Sequence, residues 1–344
     1  MRKTRRWFCS TGAAVVAVSF CPTLTAKMAE SSSRLDLIDA PTNLGLRPND
    51  RGALPGTAKA TKALRAAGLD GELRFRNVRH ITPLAYDRVA QASTHIRNGQ
   101  SLRIFDLKLA HAVAESIDTG GFPIVLGGDC SNLLGGLLGL RWAKGRGLVH
   151  IDGHSDFIHP GNYDLTSRLG SAAGMDLALA TGRGESLLTV WPGIEGPLVA
   201  DSDVVQLGER NRDDPDYVYR DNLKTKISQL TVQEILKGGI DAAIEYAVNR
   251  LSQQRLDAAW LHVDVDVLDQ RVMPAVDSPG TPGLAMAQLK ELIIGLCKTG
   301  RVAGADVSIY DPDLDPTLSY ARELVQALAA INSVRAISNR SLLK

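Results

Sequence analysis

The sequence predicts a three-layer α/β/α sandwich with a mostly parallel central sheet, and three observations carry that expectation. Short apolar runs of strand type alternate with amphipathic helical patterns, no long polar linker divides them between residues 33 and 344, and a chain of 344 residues, 44% hydrophobic, is long enough to cover a sheet on both faces. The same balance, with 22% charged residues, excludes disorder, collagen and coiled coil.

In chain order, residues 1–26 stand apart. Arg2, Lys3, Arg5 and Arg6 make a basic head, Gly12 to Cys21 an apolar stretch, and Thr23 to Ala26 a small-residue end. This is an export-signal pattern too short to span a bilayer, and Thr4-Arg5-Arg6-Trp7-Phe8 is similar to the twin-arginine signal that exports folded proteins. It implies a periplasmic or exported protein with no membrane contact once the signal is removed. A start codon assigned too far upstream would instead leave a cytoplasmic one. Without residues 1–26 the chain carries 35 basic against 38 acidic residues, a net charge of −3. No block of like charges offers a footprint for nucleic acid. Cys9 and Cys21 leave with the signal, and Cys130 and Cys297 make no disulfide framework.

The expected strands are Leu35–Asp39, Phe122–Leu126, Gly147–Asp152, Asp203–Leu207, Ala259–Asp264 and Val302–Tyr310. Between them, Ser101–Thr119 places Leu102, Phe105, Leu109, Val113 and Ile117 on one helical face, and Gly120-Gly121 ends the run. Leu230–Ser252 reads as another helix, with Thr231 as N-cap and Glu234 as its capping-box partner. Cys297 follows the apolar helical run Leu292–Leu296 and reads as a small core residue. A parallel sheet covered on both faces puts its binding crevice at the carboxyl ends of its strands, so polar residues there are the candidates for chemistry.

Three such ends are rich in metal-ligand side chains. After Leu148-Val149-His150-Ile151 come Asp152, His154 and Asp156, whose spacing sends them to one face of an extended segment. After Leu261-His262-Val263, Asp264 and Asp266 share a face while Val263, Val265 and Val267 take the other. Carboxylates crowded in this way are tolerable only when protonated or neutralised by a cation, and a divalent metal pair is the economical answer. The third end is Gly127-Gly128-Asp129-Cys130-Ser131-Asn132, where glycines bend the chain and Cys130 reaches the crevice. Each motif alone is ordinarily a solvated turn or cap; their conjunction points to a site. His150 and His262 share the ligands' parity one step deeper, which suits support or core rather than ligation.

These motifs resemble those of the ureohydrolase (arginase/agmatinase) family of binuclear manganese amidinohydrolases. Gly127–Ser131, Asp152–Asp156 and His262–Asp269 stand in that family's order, followed by a Met273–Leu284 segment similar to its Gly-Thr-Pro loop. The resemblance implies two Mn2+ ions, one held by Cys130, Asp152, Asp156 and Asp264 and the other by Asp152, His154, Asp264 and Asp266. Asp152 and Asp264 would bridge, Asp129 and Asp269 would orient ligands, and a hydroxide shared by the ions would attack the carbon of a small guanidino-type substrate. Relatives often form trimers or hexamers, which implies a homo-oligomer.

Four positions depart from the family pattern. Cys130 replaces a histidine, which loosens the preference for manganese over other divalent metals. Ala173-Gly174-Met175-Asp176 lacks the proton-shuttling histidine, Ile309 replaces the glutamate that grips a guanidinium, and Gln270 replaces a proline. The cysteine and the loop 157–168 resemble the branch of the family that converts Nω-hydroxy-L-arginine to hydroxyurea and ornithine in D-cycloserine biosynthesis. A hydroxyguanidine is less basic than a guanidine and depends less on a carboxylate partner. In that reading His159 takes the place of the shuttle, and Asn162, Tyr163 and Arg168 contact the amino-acid end. The alternatives are another amidine or formimino hydrolase of the family, or a non-catalytic metal-binding descendant of the fold.

Overall fold

Eight strands form one sheet, and every pairing in it is parallel. They are β1 (Leu35–Asp39), β2 (Phe75–His80), β3 (Phe122–Leu126), β4 (Leu148–Ile151), β5 (Val204–Leu207), β6 (Ser228–Leu230), β7 (Ala259–Asp264) and β8 (Val302–Ser308), in the order β2-β1-β3-β8-β7-β4-β5-β6. The computed structural model describes residues 34–214 and 220–333, so the export-signal reading of residues 1–26 lies outside the described residues. No described helix is long and apolar enough to cross a membrane.

Two apolar cores flank the sheet and make the expected three layers. One packs the helices Ala60–Ala66, Val232–Gly238, Ile240–Gln253, Met286–Lys298 and Ser319–Leu328 against residues such as Leu37, Val149, Leu261 and Val263. The other packs the helices Gly99–Asp118, Asn132–Trp142 and Asp176–Ala180 against Ile38, Val125, Leu148 and Trp260. Alternate strand residues thus face alternate layers. His150, His262, Asp152 and Asp264 share the parity of Leu148 and Trp260.

The structure adds two strands that the sequence reading omits, and both are edges. β2 is Phe75-Arg76-Asn77-Val78-Arg79-His80 and mostly exposed, and β6 has three residues; a polar or very short edge strand guards against unwanted pairing but carries no apolar signal. The expected helix Leu230–Ser252 is two helices. Thr231 does cap it, accepting from the Glu234 amide at 3.2 Å while Glu234 accepts from the Thr231 amide at 2.7 Å. The chain then breaks at Gly239, where φ is +88°, a conformation glycine adopts freely. The last strand stops at Ser308 rather than Tyr310 because Ile309 turns to φ +72°.

Candidate metal centre

The four central strands β3, β8, β7 and β4 bring the sequence motifs together at one end of the sheet. After β3, Gly127 and Gly128 take φ values of +86° and +82°, and a β-carbon on Gly128 would lie 2.6 Å from the Ala40 carbonyl oxygen. Only glycine fits that turn. It delivers Asp129 and Cys130 to the start of the Asn132–Trp142 helix. Cys130 is buried, its Sγ 2.7 Å from Asp264 Oδ2 and 3.3 Å from Ser308 Oγ.

The ends of β4 and β7 interlock. Asp152 is fully buried and accepts the His154 amide on Oδ1 at 2.6 Å. The His154 ring places Nδ1 3.0 Å from Asp266 Oδ2 and 3.7 Å from Asp152 Oδ1. Asp264 accepts the Asp266 amide at 2.6 Å, and Asp266 Oδ1 accepts the Gly153 amide at 3.2 Å. Neither segment is the extended run that the period-two spacing suggested. β7 ends at Asp264 and passes into a 3-10 turn over Val265–Val267, capped by Asp264 itself. The chain after Ile151 leaves the sheet and reaches Asp156 at φ +44°. Convergence comes from these turns, while Val265 and Val267 still enter the core.

Burial and crowding set the electrostatics. Asp156 and Asp264 are held well above the usual carboxylate range, by burial first and then by the neighbouring carboxylates. Burial together with Asp264 and Asp156 pushes the Cys130 thiol up. Burial opposes charge on Asp266, but His154 and Arg210 outweigh it and hold that carboxyl below its usual range. Burial likewise opposes charge on His154, and Asp266 and Asp152 overcome it. A divalent cation at this point would neutralise that crowding.

A cleft of ≈ 300 Å³ opens above this cluster, with Cys130, His154, Asp156, Asp264 and Asp266 in its lining. Ala173 and Gly174 form part of its wall, as does Ile309, a β-branched residue at positive φ. The sequence reading missed Arg47, Glu209, Asn211, Asp277 and Ser278, which also line it. Glu209 and Asn211 follow β5 directly, so the rule that strand ends carry function could have found them; Arg47 and Asp277 come from loops with no comparable signal.

The loop after Asp156 is placed otherwise. His159 Nε2 lies 2.5 Å from Asp221 Oδ2, and Asn162 donates to Asp221 Oδ1 at 3.1 Å. Tyr163 accepts from Arg47 at 3.2 Å, and Arg168 is exposed. None of the four lines the cleft. Asp129 accepts the Gly45 amide and the Ser131 amide and hydroxyl, and Asp269 accepts Arg271 and the Thr281 hydroxyl. Both brace loops around the site through these bonds. Cys297 is buried in the Met286–Lys298 helix, as expected.

Comparison with known proteins gives a consistent result. Residues 46–331 match the model of the arginase family. The rat protein "Arginase-1" (Rattus norvegicus) is 28% identical over 314 residues, covering 88% of this chain and 93% of its own. The Brevibacillus brevis arginase is 30% identical over 225 residues, covering 65% of this chain and 73% of its own. The crystal structure of Bacillus caldovelox arginase superposes with a TM-score of 0.76 at 25% identity, covering 88% of this chain and 99% of that one.

Proposed function

The chain belongs to the arginase family, and from that premise we propose that it is a hydrolase of a linear amidine C–N bond, acting on a guanidino or N-hydroxyguanidino amino acid at a pair of divalent cations. The observation that supports this is the convergence of a thiol, an imidazole and the carboxylates of Asp156, Asp264 and Asp266, from three strand ends, in the lining of one cleft, with Asp152 buried behind them.

The residues fit a metal pair by their donor chemistry. Cys130, Asp152, Asp156 and Asp264 would hold one ion and Asp152, His154, Asp264 and Asp266 the other, and two dications would neutralise the crowding that raises the Asp156 and Asp264 carboxyls above their usual range. Carboxylates and a single imidazole suit manganese; the thiolate of Cys130 favours a softer ion. When bound, such a pair would make water nucleophilic near neutral pH and would stabilise the tetrahedral arrangement that the attack creates at the substrate carbon.

The protein's own groups do the rest. Asp266, kept ionised, holds the His154 ring by its Nδ1 and is itself fixed by the Gly153 amide and by Arg210, which donates to its carbonyl. Phe157 and Ile158 flank the cleft and exclude water from one side. Arg47 offers a cation for a substrate carboxylate, while Asp277 and Glu209 offer anions for an α-ammonium group. Ile309 presents an apolar wall where a fully charged guanidinium would want a carboxylate, which favours the less basic hydroxyguanidine. The substrate in this reading is Nω-hydroxy-L-arginine, giving hydroxyurea and ornithine.

A panel of L-arginine, Nω-hydroxy-L-arginine, agmatine and formiminoglutamate, incubated with metal-reconstituted protein, tests this. Hydroxyurea release outpacing urea release is the expected result. Metal-loaded protein inert toward the whole panel would overturn the hydrolase reading.

A further inference from the structure

Arg210 stands just after β5 and is only 6% exposed, yet the bonds of its guanidinium go to main-chain carbonyls. Nη2 donates to the Asp266 carbonyl, Nε donates to the Pro282 carbonyl at 3.2 Å, and Nη1 has no hydrogen-bond partner among the described residues. Burying a guanidinium is costly, and these charge-assisted bonds are its compensation. Two glycines make its seat. A β-carbon on Gly153 would overlap Nη2, and one on Gly280 would lie 2.7 Å from Nη1. Neither glycine has the left-handed φ that would itself call for glycine, so it is the arginine that leaves no room for a side chain. Gly153 belongs to the Asp152–Asp156 motif, and Gly280 to the loop that brings Asp277 and Ser278 to the cleft. The Arg210 side chain therefore passes between the candidate metal ligands and the cleft's rim.

Three hydrogen bonds close a ring through this seat. The Arg210 amide donates to the Gly153 carbonyl at 3.1 Å, the Gly153 amide donates to Asp266 Oδ1 at 3.2 Å, and the Asp266 carbonyl accepts from Arg210 Nη2. Asp266 is also held at its own amide, which donates to Asp264 Oδ1 at 2.6 Å. Both peptide units flanking its α-carbon are thus fixed, and with them the two backbone dihedrals that aim its carboxylate. That carboxylate in turn places Oδ2 3.0 Å from His154 Nδ1. The Arg210 carbonyl accepts from Gln233 at 3.0 Å, which anchors the ring to the Val232–Gly238 helix.

The ring bears on one half of the metal pair. We infer that Arg210 is a positioning residue for the ion that His154 and Asp266 would hold: seated between Gly153 and Gly280, its guanidinium sets the aim of Asp266 and, through the Pro282 carbonyl, ties the cleft's rim to the ligands. The inference rests on the metal-pair reading of the cleft and adds to it a reason for both glycines. Outer partners of a ligand are worth about 10–100-fold in metal affinity. Lysine would keep the charge but lacks the planar fork that reaches two carbonyls at once, so it restores only part of the effect.

Calorimetric titration of the metal-free full chain with Mn2+ tests this, with electron paramagnetic resonance to tell a coupled pair from an isolated ion. In Arg210→Met, one ion is expected to bind as in the wild type and the other about 10–100-fold more weakly, so that the spectrum at limiting Mn2+ changes from that of a pair to that of isolated Mn2+. Arg210→Lys should fall between the two. Equal weakening of both ions would mark a general structural role and overturn the inference, as would two ions bound with wild-type affinity. Gly280→Ala removes no polar group but pushes on the guanidinium; it should weaken the same ion and add nothing once Arg210 is replaced by methionine, since residues in contact do not act additively. The same loss from Gly280→Ala in both backgrounds would contradict the inference. Should Arg210→Met not fold, Gly280→Ala decides alone, and unchanged affinity there overturns the assignment. A wild type that binds no Mn2+ would sink the metal-pair reading and this inference with it, whereas normal wild-type binding with unaffected variants would sink only this inference.

Discussion

The stretch from Asp152 to Asp156 and the stretch from His159 to Arg168 are continuous in sequence but differ in what fixes them. Asp152, His154 and Asp156 leave the end of a central strand and are pinned by the neighbouring strand's turn, through the Gly153 amide to Asp266 and the His154 ring to the same carboxylate. His159, Asn162 and Tyr163 sit on a loop whose bonds run to Asp221 and Arg47, outside the catalytic floor. Chemistry that needs ligands in fixed positions would draw on the first stretch, whereas the side chains of the second lie outside the cleft lining.

The largest effect expected of a single change is on the strand-end side. Asp264→Asn should abolish metal binding in the cleft and lower turnover by more than about a hundredfold, beyond what losing an outer partner of a ligand costs. Unimpaired turnover would show that Asp264 does not bridge. Cys130→His should tighten manganese binding by on the order of tenfold, measured by titration of metal-free protein. An unchanged affinity would mean the thiol does not contribute a donor.

His159→Ala tests the loop side. A general acid or base contributes about 10²–10⁴-fold, so a shuttle at this position would be conspicuous when lost. With its ring committed to Asp221, His159 is expected to matter by less than about tenfold in kcat. A larger loss with an altered pH profile would return it to the catalytic machinery.

The smallest expected effect lies outside both stretches and supplies a control. Asp106, in the Gly99–Asp118 helix, is fully buried, and burial together with Asp129 outweighs the Gly135 amide and pushes its carboxyl well above the usual range. A folded-state pKa raised above the unfolded one means the native state binds the proton more tightly. Stability from this group is therefore fully present below about pH 4 and is lost as pH rises toward the folded value. Asp106→Asn should thus be the more stable protein at neutral pH, by about 1 to 3 kcal/mol, with the gap closing in acid. Added metal should leave that gap unchanged. Thermal melts at two pH values check it; a gap that metal abolishes would place Asp106 with the cleft cluster.

The same contrast explains what could be read from the sequence. β3 and β7 match the apolar runs residue for residue because central parallel strands are buried on both faces, and their ends carry the chemistry by the geometry of the fold. The polar edge β2 and the three-residue β6 have no such signature. The candidate ligands were legible as residue types at fixed spacing, but the route to convergence was not: Asp266 is aimed by a 3-10 turn and Asp156 by a positive φ, neither of which period-two spacing encodes. His150 and His262 could be placed one step deeper on the ligands' face. That Asp176 joins them depends on a helix folding back from 24 residues beyond Asp152, a tertiary fact with no local trace.

Calorimetric titration of metal-free protein with Mn2+, run beside the Asp264→Asn variant, tests the central claim most directly. The account predicts two ions bound in the cleft of the wild type and none in the variant. Equal binding by the two proteins, or no binding by either, would contradict it.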